Sequence, residues 1–175
     1  MEGKRHHTIH LPSEMKLLGD GPSFQNTLCD MLTKAKGFDD FAQPELMYLA
    51  QHMKAYRVPA GLTIFRERDR NSYLGVLIEG RISVHKDDSD DRLKPLNIVS
   101  TGTIFGEVSV IDDLPYSASL IADTDATIAL MSRESFRECS MNNPVIGVRL
   151  LNLIAQLLCA RLRTVSGRLV DYIEV

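Results

Sequence analysis

The chain contains no tryptophan, and aromatic residues of all kinds make up only 6% of it. Its core must therefore be built mainly from aliphatic side chains, and their periodicity carries the structural signal. Three cysteines, Cys29, Cys139 and Cys159, lie far apart and form no C-x-x-C pair. That spacing excludes a paired-thiol redox motif and a cysteine-based metal site, and so sparse and odd a set fits a reducing cytosol. No apolar run reaches the ~18 residues needed to span a bilayer. Met1 to His10 is polar and has no hydrophobic signal core. The expectation is a cytoplasmic chain with no membrane partner. Charge of one sign is also scarce: 20 Lys and Arg against 23 Asp and Glu leave a net charge of −3. That balance provides no electrostatic footprint for duplex DNA, while leaving room for a small anion in a local pocket. No G-x-S-x-G, P-loop or H-E-x-x-H motif occurs, and no nucleophile-base-orienter set can be assembled. The chain reads as a non-enzyme with no catalytic residues, no metal and no cofactor.

What is present is 44% hydrophobic residues in a chain of 175, the size of one domain with short extensions. Residues 1–22 carry Gly3, Pro12, Gly19, Gly21 and Pro22 and read as a flexible arm. His6, His7 and His10 belong to that solvated tail, because no further ligand is spaced to join them. From Ser23 to Lys36 apolar residues recur at three and four, and Gly37 ends the pattern. A second helix is predicted from Pro44 to about Tyr56, so N-terminal helices occupy 23–56.

After Pro59, Ala60 and Gly61 the period becomes two. Short runs at Leu62–Arg66, Tyr73–Glu79, Arg81–Lys86, Leu93–Val99, Ser117–Ala122 and Ala126–Met131 are separated by turn residues. Regular short strands of this kind predict a mainly β sandwich or barrel over 57–132. Ile82 and Val84 alternate with Ser83 and His85, and Ile128 and Leu130 with Ala129 and Met131, each predicting one packed face. Asp87 to Asp91 lacks the glycine and closing glutamate of a calcium loop and reads as a charged hairpin. Ser132 caps a short helix to about Cys139, and Asn143-Pro144 opens a longer one, so 133–175 is helical. That long helix carries two apolar stripes. One is Ile146, Leu150, Leu153, Leu157 and Ala160; the other is Val148, Leu151, Ala155, Leu158, Leu162 and Val165. Two faces imply two neighbours, and a homodimer through this helix is the natural source of the second. One broad face buried within a monomer is the alternative.

The most informative segment runs Ile104-Phe105-Gly106-Glu107-Val108-Ser109-Val110-Ile111-Asp112-Asp113-Leu114-Pro115-Tyr116-Ser117-Ala118-Ser119. Gly106 allows close backbone approach and starts a short helix whose free amides favour an anion. Glu107 is an acceptor beside that anion site, so its partner should be a neutral donor. Ser117 and Ser119 offer small hydroxyls to phosphate oxygens. This stretch resembles the phosphate-binding cassette of cyclic-nucleotide-binding domains, as in catabolite-activator-type regulators and protein kinase A regulatory subunits. Val58-Pro59-Ala60-Gly61 with Ile64-Phe65, Leu77-Ile78-Glu79-Gly80-Arg81-Ile82, and Asn143-Pro144 through Ser166 extend the resemblance over about residues 41–170. It implies a double-stranded β-helix, a jelly-roll-like barrel, with N-terminal helices, a long C-terminal helix and the cassette at 104–119. It also implies a cyclic nucleotide as ligand, with Glu107 on the ribose 2′-hydroxyl and a hydroxyl of the last helix, Thr164 or Ser166, against the base. The candidate ligand-binding residues are Phe105, Gly106, Glu107, Val108, Tyr116, Ser117, Ala118, Thr164 and Ser166.

Two positions depart from the family pattern. Tyr116 stands where the family has its phosphate-binding arginine, replacing a charged two-pronged donor with one neutral hydroxyl. A charge-assisted bond contributes about 1.5–3 kcal/mol against about 0.5–1.5 for a neutral one, so cyclic-phosphate binding should weaken by about tenfold or more. Arg68 stands where the family's turn has glycine. Arg66, Arg68 and Arg70 are expected to be solvated and paired with Glu67 and Asp69 rather than to reach the pocket. The reading that results is a regulatory domain sensing a cyclic nucleotide or other small anion and signalling to a downstream protein. A ligand-free scaffold or interaction module, and a truncated transcription regulator, are the alternatives. The chain ends at Val175, a few residues after the long helix, so no DNA-reading helix pair is expected.

Overall fold

The computed structural model describes residues 11–19, 21–70, 72–90 and 92–170. A short strand β1 (Lys16–Gly19) leads into α1 (Gly21–Thr33), a 3-10 turn (Lys36–Phe38) and α2 (Gln43–Gln51). The strands β2 (Lys54–Val58), β3 (Thr63–Phe65), β4 (Tyr73–Glu79), β5 (Ile82–Asp87), β6 (Leu93–Val99) and β7 (Ile104–Phe105) follow. A short helix α3 (Glu107–Asp112) separates them from β8 (Ser119–Ala122) and β9 (Ala126–Ser132), and α4 (Arg133–Asn142) and α5 (Pro144–Val170) close the chain. All pairings are antiparallel. They form one sheet in the order β1-β2-β9-β4-β7 and another in the order β3-β8-β5-β6. Early strands pair with late ones, β2 with β9 and β3 with β8, so the chain winds as a jelly-roll.

Two apolar clusters hold this together. Inside the roll lie Val58, Phe65, Leu77, Ile82, Phe105, Leu120, Ile128 and Leu130. Outside the five-stranded sheet, Leu74, Val76, Ala129 and Met131 meet Leu28, Leu32, Leu49, Phe136, Leu150 and Ile154 of the helices. β4 and β9 are therefore buried on both faces. The expectation of one packed face for Ala126–Met131 is corrected: Ala129 and Met131 are buried too, beneath the helices. An apolar residue at every position is the mark of a strand covered on both sides.

Three element boundaries also differ from expectation. The stretch 16–19, expected within a flexible arm, pairs with β2, and α1 begins at Gly21. Pairing satisfies backbone groups that composition alone assigns to solvent. Residues 1–10, including the three histidines, lie outside the described residues. α2 ends at Gln51 rather than near Tyr56, because Lys54–Val58 joins β9. Met53 and Tyr56 keep helical spacing, which hides a strand whose buried positions are Ala55 and Val58. Ser132 caps α4 as expected, its Oγ accepting from the Ser135 amide at 3.1 Å, and the Asn143 Oδ1 accepts from Ile146 at the start of α5. The Asp88 carboxylate organises the acidic hairpin by accepting from the Asp90 and Arg92 amides.

α5 lies with Ile146, Leu150 and Ile154 buried against α4 and the sheet, and Val148, Leu151, Leu162 and Val165 exposed. Arg149 fixes its first half. The guanidinium reaches both Glu45 oxygens at 2.6 Å and stacks 4.8 Å over the Phe41 ring. By length and composition, Pro144–Gly167 is also apolar enough to cross a membrane, with a mean hydropathy of 1.7. The expectation that no apolar run reaches ~18 residues holds for uninterrupted runs, while the averaged window passes. Scattered Arg, Asn and Gln interrupt every apolar run here without lowering the window average enough to fail.

The β3–β4 turn supports the cassette. The Arg68 amide donates to the Tyr116 carbonyl at 2.9 Å, and the Tyr116 amide donates to the Asp69 carbonyl at 3.0 Å. Arg68 has φ 71°, a left-handed conformation in which a Cβ is disfavoured. Glu67 accepts from the Asp87 amide at 3.0 Å and from Lys86 Nζ at 3.2 Å. The amide bond, followed by Lys86, holds its pKa below the ordinary 4.5, against an opposing effect of burial. Arg68→Gly should raise Tm by about 2–4 °C, the equivalent of about 1 kcal/mol, in a thermal melt. Glu67→Gln should lower Tm at pH 7 by a similar amount. A carboxylate with a depressed folded-state pKa stabilises above its unfolded value and ceases to do so as the pH falls through the folded one. The wild-type advantage should thus be complete above the ordinary carboxylate range and fade in melts as the pH falls below 4.5 through the lowered folded-state value.

Candidate functional site

β7 pairs Phe105 with Gly75 and Ile104 with Val76, which brings the chain out of the sheet at Gly106. Gly106 has φ 72°, and a Cβ there would lie 2.3 Å from the Tyr73 carbonyl oxygen. Only glycine combines that conformation with that approach. α3 then runs for six residues to Asp113, itself left-handed at φ 63°. Arg133, at the start of α4, holds the far end. Its Nη2 donates to Ser72 Oγ at 2.7 Å and to the Ser109 carbonyl, and its Nη1 pairs with Asp113.

Tyr116 borders the cavity beside the cassette, but its ring is packed into the roll. It is 5% exposed and stacks on Phe65 with ring centroids 4.4 Å apart and planes 11° apart. Its hydroxyl accepts from the Tyr73 amide at 2.9 Å, and burial pushes its pKa upward. The hydroxyl expected to serve a ligand accepts from a strand amide inside the roll. An aromatic ring gains more by filling the core between Phe65 and β4 than by standing in solvent.

Glu107 is 1% exposed, and its Oε1 pairs with Arg161 Nη1 from α5. Arg161 Nη2 donates to the Ile104 carbonyl at 2.9 Å. The second carboxylate oxygen, Oε2, is buried without a partner among the described residues. Burial raises the Glu107 pKa, and Arg161 opposes the rise. A neutral donor was expected beside Glu107; a cation from 54 residues along the chain stands there instead. A buried carboxylate in low dielectric requires such a partner. Arg161 went unnoticed because the sequence places it beside polar Arg163. A signal does exist: it follows Ile154 by two helical turns and so belongs to the buried face.

Two adjoining cavities result. The smaller, about 90 Å³, is lined by Phe105, Gly106, Glu107, Val108 and Ser109 with Tyr116 behind them. The larger, about 480 Å³, lies between β6 and α5 and is walled by Leu96, Val99, Leu157, Ala160 and Val165. Val84, Val99, Ser117, Ala118 and Arg161 border both. Of the helix hydroxyls, Thr164 edges the larger cavity but donates to the Ala160 carbonyl at 3.0 Å, and Ser166 is exposed and borders neither. Ser119, expected to face a phosphate, is buried and accepts from the Glu67 amide at 2.9 Å. Arg66, Arg68 and Arg70 are exposed and border neither cavity, as expected, but Glu67 pairs with Lys86 rather than with them. Lys86 Nζ also donates to the Ser117 carbonyl at 2.8 Å.

Comparison with known proteins gives the site a context. Residues 56–143 match the family model described as the cyclic nucleotide-binding domain. A solved cyclic nucleotide-binding domain from Methylobacillus flagellatus superposes with a TM-score of 0.79 at 30% identity, over 93% of this chain and 91% of that one. The CRP-like cAMP-activated global transcriptional regulator of Mycobacterium tuberculosis is 26% identical over 144 residues, 82% of this chain and 62% of the regulator. The cAMP-dependent protein kinase regulatory subunit of Aspergillus niger is 32% identical over 89 residues, 51% of this chain and 21% of the subunit. The chain thus spans less than two thirds of these curated relatives. With the matched segment running from β2 to the end of α4 and enclosing the whole cassette, the chain belongs to the cyclic nucleotide-binding domain family.

Proposed function

We propose that this chain is a ligand-gated regulatory domain whose input is the pair of cavities beside Glu107 and whose output is α5. The observation that carries the reading is the Arg161–Glu107 pair. Among the described residues, both polar contacts from α5 to the roll are made by Arg161, to Glu107 and to the Ile104 carbonyl. A ligand that engages Glu107 must share or break that pair, and the C-terminal half of α5 then loses or changes its anchor. The first half stays pinned by Arg149 and by Ile146, Leu150 and Ile154. Phe105, Gly106, Glu107, Val108, Ser117 and Ala118 form the ligand wall in this reading, and Tyr116 supports it from behind. The names of the relatives point to cyclic nucleotides as the class to test first. The output surface is the outer stripe of α5, where Val148, Leu151, Leu162 and Val165 are 41–67% exposed. A second copy of the same helix is the occupant that would cover it.

Cys159 provides a direct assay. It is exposed on α5, whereas Cys29 and Cys139 are buried, so a thiol-reactive fluorophore labels the moving element. Titration with ribonucleosides and 3′,5′-cyclic nucleotides should give a saturable signal. A flat response to every compound, from protein that melts cooperatively, would overturn the reading. Arg161→Met should lower stability at pH 7 by about 2 kcal/mol in chemical denaturation, by stranding the Glu107 carboxylate. Because the Glu107 pKa is raised in the folded state, protonation relieves that penalty, and the deficit should shrink as the pH falls through it. In light scattering the wild type should be a dimer and Leu162→Asp a monomer of unchanged helicity. A monomeric wild type at high concentration removes the helix-pairing part of the proposal.

A further inference from the structure

We infer that the ligand is uncharged, a molecule with hydroxyl donors at one end and a flat ring at the other, of the class of a ribonucleoside rather than a cyclic nucleotide. This rests on the reading of the two cavities as a ligand site, and it adds the chemistry that the site selects.

Charge is the first argument. Two cations border the cavities, and each already has an anion. Arg161 is on Glu107 and the Ile104 carbonyl. Lys86 is on Glu67 and the Ser117 carbonyl. The four groups sum to zero, and Tyr116 adds no charge. A phosphate could recruit Arg161 only by leaving Glu107, 1% exposed, as a buried anion without a cation and close to a second anion. α3, with six residues, is too short to compensate through its dipole.

The second argument is donor and acceptor balance. Glu107 Oε2 is a buried acceptor with no partner among the described residues, in a side chain that lines the smaller cavity. Whatever enters must donate to it. A ribose 2′-hydroxyl donates, and a nucleoside and its cyclic phosphate both carry one, so this contact selects the ribose while the charge balance selects against the phosphate. Shape agrees. The smaller cavity, about 90 Å³, has room for a hydroxyl-bearing edge, on the order of three water volumes. The adjoining cleft, about 480 Å³ with Leu96, Val99, Leu157 and Val165 in its walls, falls within the roughly 300–1,000 Å³ range of small-molecule sites and suits a ring.

Calorimetry on the full chain with adenosine, guanosine, their 3′,5′-cyclic phosphates and 2′-deoxyadenosine tests this. At least one ribonucleoside should bind about tenfold or more tighter than its cyclic phosphate, with little dependence on salt. 2′-Deoxyadenosine should bind about tenfold more weakly than adenosine. Ser117→Arg places a cation at an exposed position on the rim, without opening the core as Tyr116→Arg would. It should shift the preference about tenfold towards the cyclic phosphate. A wild type that binds cyclic nucleotides as tightly as nucleosides, or tighter, overturns this inference and leaves the ligand-site reading standing. Equal binding of 2′-deoxyadenosine and adenosine also overturns it, through the Glu107 contact. Binding of neither class overturns both.

Discussion

A carboxylate buried at the start of a helical turn needs a cation, and in this chain the cation comes from the last helix. The Glu107–Arg161 pair connects the cassette, the barrel wall at Ile104 and the distal half of α5 through one guanidinium. Neither group is placed by its neighbours in sequence. Gly106 delivers Glu107 by turning the chain out of β7 against the Tyr73 carbonyl, and the packing of Leu150 and Ile154 sets the rotation of α5 that aims Arg161. Because desolvation of Glu107 and attraction to Arg161 oppose each other, the pair is a poor contributor to net stability.

The rest of the site is arranged around that constraint. Tyr116 is part of the core, stacked on Phe65 and bonded to β4. Its ring fills the back wall of the cassette. Arg133 performs the same service at the far end, tying α3 to α4 through Ser72, the Ser109 carbonyl and Asp113. The cassette is thus clamped at both ends by protein, while its cavity-lining Glu107 retains an acceptor without a partner among the described residues. Membership of the family accounts for the frame, and these local replacements decide what the frame accepts.

Much of the fold could be read along the chain because its signals are local. Strand runs, turn glycines, the Ser132 and Asn143 caps and the cassette itself depend on residues a few positions apart. Misreadings arose where helical and strand spacings coincide, as at Met53 and Tyr56, or where pairing recruits an unremarkable segment, as at 16–19. Ser119 and Tyr116 carry hydroxyls that look available in sequence, but a backbone amide uses each of them, the turn amide of Glu67 and the strand amide of Tyr73.

The order of residues alone determined the jelly-roll class, the position of the cassette, the glycine at its start, the absence of its arginine and the two-striped final helix. Tertiary structure alone decided that Arg161 faces Glu107, that Tyr116 faces inward and that the charges around the cavities cancel. The division has a physical cause. Periodicity and capping act over a few residues, whereas the partner of a buried charge is chosen by which distant surface the folded chain brings within reach.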